Sequence, residues 1–295
     1  MVVSVGEDVE PYNIAATQPW SDTNVIWRWA KREEFRKLGY HATVLDRFKV
    51  ESDASVVLFA DADTLFVNDV DDLLESLQTV PAVAGVMAHV PPFITRPKET
   101  WETTFSKLGR SLPSDLHQHT GWGTMFHRHD VRFSPIYYNF GAVFVPCHFL
   151  STLADAYHRQ LVVAESADIG YFIGQLALTL AIYELDLPRI ALLPRYNFPN
   201  DPLFEVQYPQ DLADLRILHY LRLDEVQRDT IWQSQEETLA FINRRDLRPS
   251  NEVLRHTVEK LWAMEGGLSR ACDNASFAPS PRRRLVGRLP WARVY

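Results

Sequence analysis

Residues 56–66 read VVLFADADTLF, and this stretch decides the fold class. The run VVLFA at 56–60 has the length of a strand and is apolar throughout instead of alternating, which predicts a strand covered on both faces. Beyond it, apolar residues recur at the spacing of one helix face: Val70, Leu73, Leu74 and Leu77. A buried strand followed at once by an amphipathic helix predicts an α/β fold.

The same alternation of strand-length runs and helical segments extends along the chain. We expect further strands at 82–90, 137–146, 189–194 and 216–220. We expect helices at 99–108, 148–164 and 168–185, and a mainly helical chain from 224 onward. Between 91 and 135 five prolines interrupt the pattern, which is typical of a long functional loop.

Composition excludes several classes of protein. The chain has 295 residues, of which 46% are hydrophobic and 23% charged, as in an ordinary globular protein. Cys147 and Cys272 form neither a disulfide framework nor a metal-ligand spacing. No apolar run reaches the length of about 18 residues that a membrane span needs, and no secretory signal follows Met1. We therefore expect a cytoplasmic protein.

The charge is unevenly distributed. The chain carries a net charge of −8, yet residues 281–295 contain five arginines and no acidic residue. Residues 1–280 therefore carry a larger negative charge than the whole chain. An acidic body repels a phosphate backbone, which argues against a nucleic-acid partner. We expect the basic segment to be a flexible tail; the alternative is a peripheral contact with the anionic inner face of a membrane.

Asp61 and Asp63 are the strongest indication of chemistry. In open α/β sheets, ligands bind at the carboxyl ends of the strands, where both residues are expected. Two carboxylates beside a strand core repel each other and lose hydration, so a cation is expected nearby. Oxygen ligands suit Mg²⁺ or Mn²⁺, whose coordination shell substrate phosphates commonly complete. The alternative is that both residues cap the next element or pair with arginine.

The order of motifs resembles the GT-A glycosyltransferases, whose DxD motif holds the metal-bound diphosphate of a nucleotide sugar. After Asp61-Ala62-Asp63 come YNFGAVF at 138–144, a helix containing Gln175, LPRYN at 193–197 and LHY at 218–220. The similarity is greatest to glycogenin-like members. It implies a GT-A fold, that is, a Rossmann-like α/β domain with a mixed, mainly parallel sheet and flanking helices. We expect this catalytic domain at 1–222, a helical extension at 223–280 and the tail at 281–295.

The resemblance also implies roles for residues. It makes Asp63 the main ligand of Mn²⁺ or Mg²⁺, Asp61 a ligand or a ribose contact, and His219 a third ligand. A neutral imidazole beside two carboxylates favours Mn²⁺ over Mg²⁺ on chemical grounds as well. The expected reaction moves a sugar, within the hexosyltransferase class, from a nucleotide-diphosphate donor to the hydroxyl of a saccharide or other acceptor.

Other residues complete the expected site. Asp168 is the candidate base if the reaction inverts configuration, and Gln175 lies in the same predicted helix. Asn139 is expected to contact donor or acceptor. Gly141 could let a substrate approach the backbone; a bulge or a helix contact explains it equally well. Arg222 is a candidate diphosphate contact, as are Arg47 and Lys49 just before the motif strand. Trp122 and Trp101 are candidate acceptor contacts through stacking on sugar rings.

Two other functions fit parts of the pattern. A haloacid-dehalogenase-like phosphatase or phosphotransferase also places D-x-D after a hydrophobic strand. That family requires D-x-D-x-T, whereas here Thr64 directly follows Asp63. The second alternative is a relative that binds sugar nucleotides without turning them over.

Overall fold

The computed structural model describes residues 1–8, 11, 25–89, 92–93, 100–118, 133–167, 172–227, 230–232 and 234–264. Its strands are β1 (Val2–Val5), β2 (Ile26–Trp29), β3 (Val56–Ala60), β4 (Thr64–Phe66), β5 (Val83–Met87), β6 (His117–Gln118), β7 (Phe133–Ser134), β8 (Tyr138–Pro146), β9 (Arg189–Leu192), β10 (Phe198–Pro199) and β11 (Ile217–His219). Its α-helices are α1 (Arg32–Leu38), α2 (His41–Arg47), α3 (Asp71–Thr79), α4 (Trp101–Lys107), α5 (Leu150–Glu165), α6 (Ile173–Glu184), α7 (Pro202–Gln207), α8 (Pro209–Ala213), α9 (Gln235–Ile242) and α10 (Pro249–Met264).

The central sheet has four strands in the order β3, β8, β5, β9. β8 runs antiparallel to both of its neighbours, whereas β5 and β9 are parallel. A smaller sheet has the order β10, β11, β4, and β1 pairs in parallel with β2. The predicted α/β class with a mixed sheet and flanking helices is confirmed. The expectation of mainly parallel pairing is corrected, because β8 runs against both neighbours and antiparallel pairs outnumber parallel ones among the described strands.

β3 is covered on both faces, as its uninterrupted apolar run predicts. Val57 and Phe59 pack into a core that includes helices α5 and α6. Val56 and Leu58 point the other way, into a second core around α3. β3 is an edge strand of the central sheet, which explains why Phe59 alone among its five residues is fully buried.

The predicted helices and strands are present with shifted ends. The helices expected at 70–77, 99–108 and 148–164 correspond to α3, α4 and α5. Of the helix expected at 168–185, α6 covers Ile173–Glu184, and 168–171 lie outside the described residues. In the described part of the chain, no helix is both long enough and apolar enough to cross a membrane.

The first 50 residues contain a unit that the sequence did not reveal. The parallel pair β1 and β2 is tied to helix α2 through Asp46, a buried carboxylate. Ser4 donates to Asp46 Oδ2 at 3.0 Å, and Arg28 donates to Asp46 Oδ1 at 3.3 Å. One side chain thus connects both strands to the helix that leads towards β3.

The C-terminal helices share a core with the smaller sheet. Phe198 of β10 and Leu218 of β11 pack with Phe241 of α9 and with Leu254 and Val258 of α10. Residues beyond 223 therefore cover the sheet that carries the end of β11, beside which Asp63 lies. The basic tail expected at 281–295 lies outside the described residues, and its membrane contact stays a prediction.

Candidate metal and donor site

The backbone brings Asp63 and His219 together. β3 ends at Ala60, and β4 begins at Thr64 and pairs antiparallel with β11, so that Thr64 is the partner of His219. The backbone N–H of Tyr220 donates to the Asp63 carbonyl at 3.0 Å. Residues 61–63, which we call the acidic turn, are therefore fixed against the end of β11 by main-chain hydrogen bonds, independently of any ligand.

Asp61, Asp63 and His219 form one cluster. Each offers a ligand atom, and these atoms lie within 4.8 Å of one another. His219 Nε2 lies 3.2 Å from Asp63 Oδ1. The imidazole is only 6% exposed, whereas the side chains of Asp63 and Asp61 are 23% and 31% exposed. The cluster thus has a buried nitrogen at its back and two accessible carboxylates in front.

The donor set fits a divalent cation. Two carboxylates and one imidazole give a mixed oxygen and nitrogen site of the kind that Mn²⁺ accepts. Adjacent ligands of a hexacoordinate ion at about 2.1 Å lie about 3 Å apart, close to the separation of His219 Nε2 and Asp63 Oδ1. The half-exposed carboxylates leave room for ligands from a substrate or from water.

An arginine pairs with the outer carboxylate. Arg47, at the end of α2, donates through Nη2 to Asp61 Oδ1 at 3.1 Å. Thr64 Oγ1 donates to the Asp61 carbonyl at 2.7 Å. The alternative raised for the acidic pair, an ion pair with arginine, therefore holds for Asp61. Lys49, the other expected phosphate contact, lies 3.5 Å from Glu34 instead, and Arg47 is the basic group of this segment that reaches the acidic turn.

Gly141 makes room for the imidazole. A Cβ at this position would stand 2.5 Å from both Asn197 Oδ1 and His219 Cε1, and closer still to His219 Nδ1. Gly141 also accepts from the backbone N–H of Asp61 at 3.3 Å. The residue expected to admit a substrate thus contacts a candidate ligand side chain, because β8 passes directly behind His219.

Asn139 is engaged by the protein. Its Oδ1 accepts from the Gly141 N–H at 2.8 Å and from Asn197 Nδ2 at 3.0 Å. The amide oxygen of Asn139 therefore has two donors before any sugar is considered, and it links β8 to the segment that leads into β10.

Arg222 is held beside the end of β11. Its Nε lies 3.3 Å from Asp201 Oδ2. Asn200, which is fully buried, accepts from the Arg222 N–H at 2.8 Å and donates to the Arg222 carbonyl at 3.3 Å. A guanidinium has five N–H donors, so this contact through Nε does not use all of them.

Of the remaining candidates, Gln175 and Trp101 are described by the structure and two others are not. Gln175 lies in the first turn of α6, where its Oε1 is buried and has no hydrogen-bond partner among the described residues. Asp168 and Trp122 lie outside the described residues. Trp101 is 8% exposed and packs edge to face against Phe93 and Tyr137. The structure thus makes Trp101 a core residue, where the sequence suggested stacking on an acceptor sugar.

The sequence analysis gave no role to Asn197, the last residue of the LPRYN motif, or to Asn200, although both lie beside the parallel pair of β10 and β11. Each is fully buried. A short segment with two asparagines and an Asp-Pro pair, Asn197 to Pro202, was the available signal. Several polar side chains so close together indicate that they form hydrogen bonds, but the sequence does not show with which residues.

Comparison with known proteins identifies structures but no sequence relatives. No family model and no curated protein matches the chain. The chain is similar to the apo form of mouse xyloside xylosyltransferase 1, with 12% identity, a TM-score of 0.38, and 67% of this chain and 75% of that one covered. It is also similar to the galactosyltransferase LgtC with donor and acceptor sugar analogues, with 17% identity, a TM-score of 0.41 and 77% of each chain covered. For an active-site mutant of LgtC the identity is 15%, the TM-score 0.43, and the coverage 77% and 78%. The function proposed below rests on the side chains of the site.

Proposed function

We propose that this chain is a metal-dependent glycosyltransferase that moves a sugar, within the hexosyltransferase class, from a nucleotide-diphosphate donor to an acceptor hydroxyl. The observation that carries the proposal is the cluster of Asp61, Asp63 and His219, whose ligand atoms lie within 4.8 Å of one another. A divalent cation in this cluster offers open positions to phosphate oxygens, because the two carboxylates face outward.

The three side chains have separate tasks in this proposal. His219 would hold Mn²⁺ or Mg²⁺ from the buried side, and Asp63 and Asp61 would hold it from the exposed side. When bound, the ion supplies a Lewis acid for the negative charge that develops on the departing diphosphate. The main-chain hydrogen bond from the Tyr220 N–H to the Asp63 carbonyl keeps Asp63 beside His219.

Two arginines supply the remaining positive charge. Arg47 donates to Asp61 through Nη2, and Arg222 contacts Asp201 through Nε, so each guanidinium retains other N–H donors. Guanidinium groups pair well with phosphate oxygens. We assign both to the diphosphate, and of the two basic residues expected before β3 we retain Arg47 rather than Lys49.

The acceptor side is proposed from the sequence. Asp168 is the candidate base for an inverting reaction, and Trp122 the candidate platform for an acceptor sugar. Gln175 and Asn139 are the candidate amides near the reacting sugar; the engaged Oδ1 of Asn139 leaves its Nδ2 as the group for a hydroxyl. Because a carboxylate base contributes about 10² to 10⁴-fold, loss of Asp168 is a sensitive indicator of the inverting mechanism.

The test is a transfer assay with a panel of nucleotide sugars and acceptors. EDTA should abolish transfer and excess Mn²⁺ should restore it. We expect Asp63→Asn to reduce kcat by at least about 100-fold, because one ligand loses its charge. The matched control is Asp53→Asn, a carboxylate exposed in the loop before β3, which should keep wild-type activity.

Other outcomes would contradict the proposal in distinguishable ways. Full transfer in EDTA would exclude a role for the metal. Binding of sugar nucleotides without turnover would favour the non-catalytic relative. Hydrolysis of phosphomonoesters with a covalent phosphate on Asp61 would favour the phosphatase.

A further inference from the structure

Two buried atoms face each other across Gly141 without a hydrogen bond. His219 Nδ1 and Asn197 Oδ1 are both buried, and neither has a hydrogen-bond partner in the described part of the chain. Both lie within 2.5 Å of the point where a Cβ of residue 141 would stand, so they are at most about 5 Å apart. Buried polar atoms are normally paired, since an unpaired one costs about 1–3 kcal/mol.

The contacts of Asn197 fix which end of its amide faces the imidazole. Its Nδ2 donates to Asn139 Oδ1 at 3.0 Å and lies 3.4 Å from the Asn139 carbonyl. Both of those atoms are acceptors, and the first also accepts from the Gly141 N–H. Rotating the amide by half a turn would place oxygen against two oxygens. Asn197 therefore presents Oδ1, an acceptor, towards His219.

The other imidazole nitrogen faces a carboxylate. His219 Nε2 lies 3.2 Å from Asp63 Oδ1. A metal ion needs the lone pair of Nε2, and a neutral imidazole then carries its proton on Nδ1. Asn197 Oδ1 is the acceptor placed to receive that proton's hydrogen bond. A small rotation of the ring or the amide closes the gap, because residue 141 has no side chain between them.

We propose that Asn197 is a positioning residue for the metal site: its Oδ1 accepts a hydrogen bond from Nδ1 of His219 and so directs the Nε2 lone pair towards Asp61 and Asp63. This inference rests on the proposed metal-dependent function. It explains why a fully buried asparagine at position 197, a glycine at 141 and a buried imidazole at 219 occur together. Hydrogen-bond partners of ligand side chains set both ring orientation and ligand basicity.

The first experiment measures Mn²⁺ binding to the full chain by titration calorimetry and by the EPR signal of free Mn²⁺. Asn197→Leu removes the acceptor at similar volume and should weaken Mn²⁺ binding about 10- to 100-fold. Asn197→Asp retains an acceptor oxygen and should bind within about threefold of wild type. The matched control is Gln160→Leu, which removes another buried amide whose oxygen lacks a partner, on helix α5. It should lower stability without changing Mn²⁺ affinity.

The second experiment reads the tautomer in the wild-type chain and does not depend on any variant at position 197. In protein with ¹⁵N-labelled histidine and saturating Mg²⁺, long-range ¹H–¹⁵N spectra distinguish a protonated Nδ1 from a protonated Nε2. His219→Gln identifies the signals by their loss. We expect Nδ1 of His219 to carry the proton and Nε2 to be unprotonated.

The outcomes separate this inference from the proposed function. If the wild type binds Mn²⁺ and Asn197→Leu binds it equally well, or if Nε2 carries the proton, Asn197 does not position the ligand and the metal site stands. If the wild type and Asp63→Asn both fail to bind Mn²⁺, the metal site itself is wrong, and the inference falls with it.

Discussion

At position 141 the space for a side chain is already occupied by His219 and Asn197. A Cβ there would stand 2.5 Å or less from three of their atoms, a distance that real Cβ atoms do not show. We expect Gly141→Ala to displace the imidazole, to weaken Mn²⁺ binding at least about tenfold and to lower the free energy of unfolding by about 1–3 kcal/mol. Titration with Mn²⁺ and urea unfolding measure the two effects.

Gly174→Ala is the matched control for this substitution. Its Cβ would stand 3.0 Å from His41 Nδ1 and from Tyr157 Oη, a milder contact in helix α6. We expect a change in stability and an unaltered Mn²⁺ affinity. Equal Mn²⁺ affinity in Gly141→Ala and wild type would mean that the ring of His219 moves without cost to the site, or is no ligand.

Single residues also show where the sequence is informative. Asp61 and Asp63 were predicted to form the site because a motif places both beside a strand end, and the structure brings them together with His219. The choice between Arg47 and Lys49 depends on where α2 ends and how the chain turns after it, and composition does not specify that. Trp101 was assigned to acceptor binding because an aromatic residue in a polar loop suits stacking, yet the fold covers it with Phe93 and Tyr137.

One guanidinium, that of Arg248, lies beside the contact between helix α10 and helix α7. Arg248, just before α10, is 11% exposed and donates to Asp224 and to the Asn200 carbonyl. It also lies 3.5 Å from Glu205, a buried carboxylate that accepts from the Ser250 N–H at 3.1 Å. A carboxylate at a helix N-terminus is favourable, but one this buried needs a positive partner.

We expect Arg248→Met to lower the free energy of unfolding by about 3 kcal/mol, because Glu205 would remain buried without that partner. The hydrogen bond from Arg248 holds the pKa of Asp224 below its usual value. The stabilisation from Asp224 is therefore present above the unfolded-state pKa and is lost as the pH falls through the folded-state pKa. The difference in the free energy of unfolding between wild type and Arg248→Met, measured by urea unfolding, should shrink below about pH 4.

The matched control is Arg245→Met, which removes an exposed arginine that donates only to carbonyls. It should change the free energy of unfolding by less than about 0.5 kcal/mol. Equal stability of the two variants would contradict the role of Arg248.

At the level of elements, length decides what the sequence predicts. β3 is an apolar run of five residues and β8 a strand of nine residues that is mainly apolar, and both were predicted within one residue of their ends. β4 and β10 have three and two residues, and their conformation comes from pairing with β11, which a local pattern does not show. Helix α7 was missed although its signal was present: Asp201 caps it, and Pro202 occupies its first turn.

In the whole molecule, the candidate site lies where three packed regions meet. Asp61 follows β3 of the central sheet, Asp63 precedes β4 of the smaller sheet, and His219 ends β11, the middle strand of that smaller sheet. Arg47 comes from the helix tied to the N-terminal strand pair, and Arg222 is held by residues that precede helix α7. Because these groups come from different parts of the fold, a cation and a diphosphate that bind them together add further links between those parts.

This arrangement predicts that metal and donor stabilise the native state together. A ligand at 100 times its dissociation constant adds about 2.7 kcal/mol to the free energy of unfolding, which corresponds to roughly 5 °C in Tm for a chain of this size. We expect the preferred nucleotide sugar to raise Tm by about that amount with Mn²⁺ present and by less than about 1 °C in EDTA, because its diphosphate completes the shell that the protein leaves open. Asp63→Asn should lose the Mn²⁺-dependent part of the shift, whereas Asp53→Asn should retain it. A donor-induced shift of equal size in EDTA would mean that Arg47 and Arg222 bind the diphosphate without a cation, and the carboxylates would then need another role.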